Sequence, residues 1–152
     1  MRCALFVFLA VLVLLVCAPV AQASPEDTML RVVNNWRASH DLHKVRTNVA
    51  LRDASRYWTR HLLITDTFRH GTVGKRLHRY YDGYRRWSVG EVLAWRTEGN
   101  VRAVFRGWLS SPSHRYIISR GRWRDVGIDV RVGLFKGNWV WMWCIDFGRR
   151  WG

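Results

Sequence analysis

Between Asn138 and Phe147 the chain carries Trp139, Trp141, Trp143 and Ile145 in alternation with Val140, Met142, Cys144 and Asp146. Successive side chains of a strand point to opposite faces, so this stretch is largely apolar on both. A strand of that kind has to be covered on both sides. A second strand, Val126 to Val132, precedes it across a Gly133-to-Gly137 turn. The chain must therefore supply helices to both faces of a sheet.

The helices are legible in the spacing. Ser24 is placed to cap a helix that starts at Pro25-Glu26-Asp27, with acids in its first turn. Leu30, Val33 and Trp36 follow at helical spacing, and the helix is expected to end near Ser39. After a loop from His40 to Thr47, Leu51, Ala54, Trp58 and Leu62 mark a second helix from about Asn48 to Thr65. Residues 74–87 are read as a short helix and a turn around Asp82-Gly83. Asn100 caps a helix through Val101, Val104, Phe105 and Trp108, and Pro112 opens a short one ending near Arg120-Gly121.

The first residues have the form of an export signal. Met1-Arg2 precedes an apolar run from Ala4 to Val16, and Ala21-Gln22-Ala23 fits the small-x-small cleavage rule. Residues 1–23 are read as a signal peptide and 24–152 as one domain, secreted to the extracellular space or the cell wall. No later segment approaches the roughly 20 apolar residues of a membrane-spanning helix. Cys3 and Cys17 leave with the leader, so Cys144 stands alone and no intrachain disulfide forms. Stability falls to packing, for which ten tryptophans are available.

Charge narrows the partners. Lys and Arg number 25 against 11 Asp and Glu, a formal net charge of +14. Such a field draws a protein toward anionic envelope or lipid surfaces. The arginines are spread from Arg31 to Arg150 rather than gathered into a groove, and no nucleic-acid motif is recognisable. Nucleic acid is therefore not expected as a partner, and the chain is expected to be a monomer.

Several short motifs recur in a fixed order. They are Asn34-x-x-Arg37; Leu51, Ala54 and Trp58; Phe68-Arg69-His70; Gly90-Glu91-Val92, read as a turn; Trp108 with Ser111-Pro112-Ser113-His114-Arg115; and Val126-Gly127-Ile128 with Phe147-Gly148. Together they resemble the CAP superfamily, the domain of cysteine-rich secretory proteins, antigen 5 and pathogenesis-related-1, in its short bacterial form. The resemblance implies an α+β fold, a three-layer α-β-α sandwich with a central antiparallel sheet. It also implies a cleft where two His and two Glu converge. Residue by residue these fall on His70, Glu91 and His114, with Ser111 at the second Glu; Val92 stands where the family has Asn.

Two imidazoles and a carboxylate suit a Zn²⁺ ion with water in an open position, and His70, Glu91 and His114 are the candidate ligands, although no cofactor is required. The plainer reading makes Glu91 a hydrogen-bond acceptor that holds the cleft together. Ser111 or Ser113 beside His114, with Glu91 as orienter, has the residue types of a hydrolase. Those serines sit at a helix start, however, where a hydroxyl more often caps backbone N–H groups, and no Gly-x-Ser-x-Gly elbow is present. No catalytic residue is assigned. The expected function is a non-catalytic ligand- or metal-binding module at a cell envelope or host surface, the cleft of His70, Glu91, Ser111 and His114 taking a small lipid or sterol-like ligand. A metal-dependent or serine hydrolase and a cationic membrane-active protein stay open as alternatives.

Overall fold

Helix α1, Pro25–Ala38, begins as expected: Ser24 Oγ accepts the Asp27 N–H at 3.1 Å. The computed structural model describes residues 22–152. Apart from Gln22 and Ala23, the expected leader lies outside the described residues. The buried stripe of α1 is Met29, Val33 and Arg37, with Leu30 and Trp36 half-buried beside it.

Asn34 and Arg37, one turn apart, fasten the following loop. The Asn34 amide donates to Val45 O at 2.9 Å and accepts the Val45 N–H at 2.8 Å. The fully buried Arg37 guanidinium donates to His43 O at 2.8 Å and to Ile118 O at 2.6 Å. Burial pulls its pKa down to about 10, and the nearby Arg124 adds to the fall. The Asn-x-x-Arg spacing thus ties α1 to the loop and to the far end of α6, Pro112–Ile118.

The sheet has four strands in the order β1-β3-β4-β2: β1 Arg46–Thr47, β2 Arg86–Arg96, β3 Asp125–Phe135 and β4 Asn138–Trp151. The three long strands are antiparallel, while the two-residue β1 runs parallel to β3, so the sheet is mixed at one edge. On one face Val92, Val126, Ile128, Trp143, Ile145 and Phe147 pack against α1, α6 and α5, Val101–Ser110. On the other, Leu93, Val140, Met142 and Cys144 meet Trp58 and Leu62 of α2, Val49–Ile64. Both faces are covered, as the β4 pattern requires. Trp108, Trp123 and Trp143 are fully buried, and each is worth roughly 4–6 kcal/mol of area burial as an upper bound. No disulfide contributes among the described residues, where Cys144 is free and buried.

Three expectations are corrected. The Gly90-Glu91-Val92 turn is the middle of β2, a strand not anticipated because Ser88, Gly90 and Glu91 interrupt its apolar alternation. Its partner β4 supplies what propensity does not, with eleven paired positions from Arg86↔Trp151 to Arg96↔Trp141. The hairpin turn is shorter than Gly133-to-Gly137. Strands β3 and β4 extend to Phe135 and Asn138, and Lys136 and Gly137 turn the chain with φ of 48° and 79°. At this outer end Trp139 is 69% exposed, on the face opposite Phe135, which is buried against Trp58 and Leu62 of α2. Finally, Ser111 precedes α6 without a side-chain capping bond; its hydroxyl lies 3.2 Å from that of Ser113.

Helix α2 lies unusually close to the sheet. A Cβ on Gly127 would stand 2.1 Å from the Leu51 carbonyl carbon, so only glycine admits this approach. Short helices α3, Val73–Arg76, and α4, His78–Tyr81, follow on the same side.

Candidate functional site

Glu91 of β2 and Asp146 of β4 are directly opposed in the antiparallel register, and Cys144 lies two residues from Asp146 on the same face. All three are buried beneath α2. Two carboxylates in such a place need a counter-charge. Arg76, at the end of α3, provides it: its side chain is 6% exposed. One Nη donates to Asp146 Oδ2 at 2.8 Å, and the other contacts Glu91 Oε2 and reaches Asp146 Oδ1 at 3.3 Å. Ser55 of α2 donates to Asp146 Oδ2 at 2.8 Å. The Cys144 Sγ lies 3.5 Å from Glu91 Oε2 and 3.6 Å from Asp146 Oδ2.

His70 enters from the loop after α2. Its Nδ1 is 2.7 Å from Glu91 Oε1, and half of its side chain faces solvent. Trp58 sets this loop: its indole N–H donates to Arg69 O at 3.1 Å, and its ring lies where a Cβ on Gly71 would sit, at 2.6 Å. Gly71 also takes a φ of 62°, so a bare backbone is required twice over. The Arg76 guanidinium lies 4.8 Å from the centre of a Trp58 ring. Trp58 therefore shapes both partners of Glu91.

The charges explain the titration behaviour. Glu91, Asp146 and Arg76 sum to one negative charge, and a protonated His70 would neutralise it. The hydrogen bond to Glu91 accordingly raises the His70 pKa above its ordinary 6.5, against the opposing effect of burial. Burial also raises the Glu91 carboxyl, with the His70 hydrogen bond pulling the other way. Burial pushes the Cys144 thiol well above its ordinary value, so it is a thiol and not a thiolate.

His114, in the first turn of α6, behaves differently. Burial, and then repulsion from His70, lowers its pKa below 6.5. Neither ring nitrogen hydrogen-bonds to another described residue. With Phe68, Leu93, Trp95, Trp108 and Ser111 it lines a cleft of about 340 Å³ along the free edge of β2. There the Trp108 indole N–H caps the Leu93 carbonyl at 2.8 Å, a group that the edge strand would otherwise leave open. So the structure pairs His70 with Glu91, and it sets His114 and Ser111 in the neighbouring cleft.

The expected zinc set does not converge. Among the described residues, the group of three donors within 4.8 Å of one another is Glu91, Cys144 and Asp146, and neither histidine belongs to it. A divalent ion fits this group poorly, because the Arg76 guanidinium already holds both carboxylates and the thiol keeps its proton. Glu91 acts as the acceptor for His70 and Arg76, with both oxygens engaged. Among the described residues the Ser111 hydroxyl lies within hydrogen-bond distance of that of Ser113 and makes no hydrogen bond to His114.

Sequence reasoning missed Arg76, Asp146 and Ser55. Asp146 had a signal: an acid within a strand covered on both faces demands a buried counter-ion. Arg76 had none, being one arginine among many.

The sandwich fold is matched by known proteins. A family model described as "CAP: Cysteine-rich secretory protein family" matches residues 30–145. The chain belongs to the CAP family. No curated protein matches it in sequence. Solved CAP-type structures are similar in fold. An outer surface protein from Borrelia burgdorferi superposes with a TM-score of 0.69 at 20% identity, covering 84% of this chain and 93% of that one. An extracellular SCP-domain protein from Bacillus anthracis gives 0.67 at 22% identity, covering 83% of this chain and 40% of the other. A cysteine-rich secretory protein from Staphylococcus aureus gives 0.64 at 13% identity, with 83% and 38% covered. The CAP domain here thus spans well under half of the latter two proteins. Among the described residues no helix is long and apolar enough to cross a membrane.

Proposed function

We propose that this CAP domain is an exported, non-catalytic binding module. It works at an anionic envelope or host surface and holds a small, mainly apolar ligand, of lipid or sterol type, in the cleft beside His114. The observation that carries this reading is the engagement of Glu91. Both of its oxygens serve His70 and Arg76, so no carboxylate is left to orient His114 as a base, and the cleft keeps apolar walls with one unpaired imidazole. Export is supported by the form of the first residues and by the outer-surface and extracellular descriptions of the structural relatives. The charge of +14 supports the anionic surface. The reading needs no metal.

The test uses the purified protein and the fluorescent sterol dehydroergosterol. Saturable binding that His114→Trp abolishes, with no hydrolysis of p-nitrophenyl esters by the parent, is the expected result. Ester turnover lost on His114→Ala would overturn it in favour of a hydrolase. Salt-sensitive leakage of phosphatidylglycerol vesicles that His114→Trp leaves unchanged would overturn it in favour of membrane damage.

A further inference from the structure

Exposed apolar side chains gather at one end of the sheet. Among the described residues, Ile64, Phe68, Trp95, Val132, Leu134 and Trp139 all stand exposed there. Leu134 pairs directly with Trp139, and Val132 is opposite Trp141, on the face that α1, α5 and α6 cover further along. Trp95 pairs with Met142 and so belongs to the other face; its ring lies 5.5 Å from that of Phe135, and the Phe68 ring lies 6.4 Å from the same residue. Ile64 ends α2 on that side, next to Leu63, which a Cβ on Gly133 would meet at 2.8 Å.

Nothing within the fold accounts for this collar. Leu134 is 55% exposed and Ile64 70%, so large apolar side chains are left in water around both faces of one hairpin. Charge and shape decide what covers them. Arg69, Arg96 and Lys136 are exposed within the collar and form no ion pair among the described residues. Of the acids nearest to them in the chain, Asp66 and Glu98, the first accepts the Lys136 N–H at 2.6 Å. With a net charge of +14, two copies of this chain repel each other, and an anionic occupant is favoured. The apolar side chains encircle the β3–β4 turn instead of lining a groove. A rigid protein partner would have to embrace the turn from both faces, whereas the interfacial layer of a bilayer closes around it unaided. Tryptophan is a side chain that prefers this layer.

We propose that the outer end of the β3–β4 hairpin docks into the interfacial layer of an anionic lipid bilayer, with Leu134 and Trp139 inserted and Arg96 and Lys136 at the lipid phosphates. The proposal rests on the anionic-surface part of the function proposed above and names the element that docks; it needs no ligand beside His114. Apolar contact holds the hairpin in the interface, and the cations supply the preference for anionic over zwitterionic lipid.

The test is co-sedimentation of the purified protein with vesicles of phosphatidylglycerol or of phosphatidylcholine, alongside retention on immobilised dextran sulfate, a polyanion without apolar chains. Phosphatidylglycerol vesicles are expected to bind the protein at least about tenfold more tightly than phosphatidylcholine vesicles. Leu134→Ser/Trp139→Ser should weaken binding to phosphatidylglycerol by about tenfold or more and leave retention on dextran sulfate unchanged, because it removes apolar surface and no charge. Arg96→Glu/Lys136→Glu should also weaken binding to phosphatidylglycerol, whereas Val49→Ser, an equally exposed position at the other end of α2, should alter neither readout. All these substitutions are at exposed positions, and an unchanged melting temperature shows that the fold is kept. Absence of binding to phosphatidylglycerol vesicles, or binding that Leu134→Ser/Trp139→Ser leaves unchanged, overturns the proposal. Retention on dextran sulfate would in that case leave the anionic-surface reading standing, and loss of retention would remove that reading as well.

Discussion

Glu91 and Asp146 face each other across the β2–β4 ladder and share one guanidinium, that of Arg76. In most proteins two buried acids this close would raise one another's pKa until one became neutral. Here a third chain segment inserts a permanent cation, and His70 adds a switchable one from the solvent side. The four groups form a network that is charge-balanced when His70 is protonated, and its positive members come from α3 and the loop before it.

Removing Arg76 therefore leaves two buried carboxylates without compensation. Arg76→Met is expected to destabilise the fold by about 3–5 kcal/mol at pH 7, the usual cost of breaking a buried pair from one side. Urea denaturation measures it. Part of the loss should return near pH 5, as a carboxyl takes up a proton; an unchanged midpoint in Arg76→Met would show that the network carries no stability.

Stability and pH are linked through two histidines of opposite sign. The folded state raises the His70 pKa above 6.5, so His70 contributes stability that is full below pH 6.5 and is lost as pH rises through the folded value. His114 is lowered, so its contribution is present above pH 6.5 and is lost as pH falls through its folded value. NMR titration of the imidazole protons should show His70 above and His114 below the ordinary value. Glu91→Gln should return His70 toward 6.5, and a His70 that still titrates high would show that Glu91 is not the cause.

A metal is expected to make little difference. Because Arg76 supplies the cation between Glu91 and Asp146, addition of Zn²⁺ or of a chelator should leave the melting temperature of the parent protein unchanged. Saturable one-site Zn²⁺ heats that vanish in His70→Ala/His114→Ala would instead show that the two histidines and Glu91 do converge on an ion.

The approach of α2 to the sheet admits a sharp test. Gly127→Ala places a methyl group 2.1 Å from the Leu51 carbonyl carbon, a backbone atom that cannot swing aside. The expected cost is about 3 kcal/mol or more, at the upper end for overpacking, read by thermal or urea unfolding. Because Ser55 and Trp58 ride on the same helix, the His70 titration should shift as well.

Much of the fold was written in local patterns. The capped helices from Ser24, Asn48 and Asn100 and the two-faced apolar strand β4 follow from spacing and polarity. The motif order pointed to the family and singled out His70, Glu91 and His114, of which the first two meet in the fold. Strand β2 was not legible, because Ser88, Gly90 and Glu91 carry little β-propensity and are held by their ladder with β4.

The sequence by itself determined that this chain must bury a tryptophan-rich sheet between helices, since period and hydrophobicity are properties of neighbouring residues. Tertiary structure alone decided that Arg76 should meet Glu91 and Asp146 and that His70 and His114 should titrate in opposite directions. Those outcomes depend on distance and burial between segments far apart in the chain, and a charge shows its partner only when the fold removes it from water.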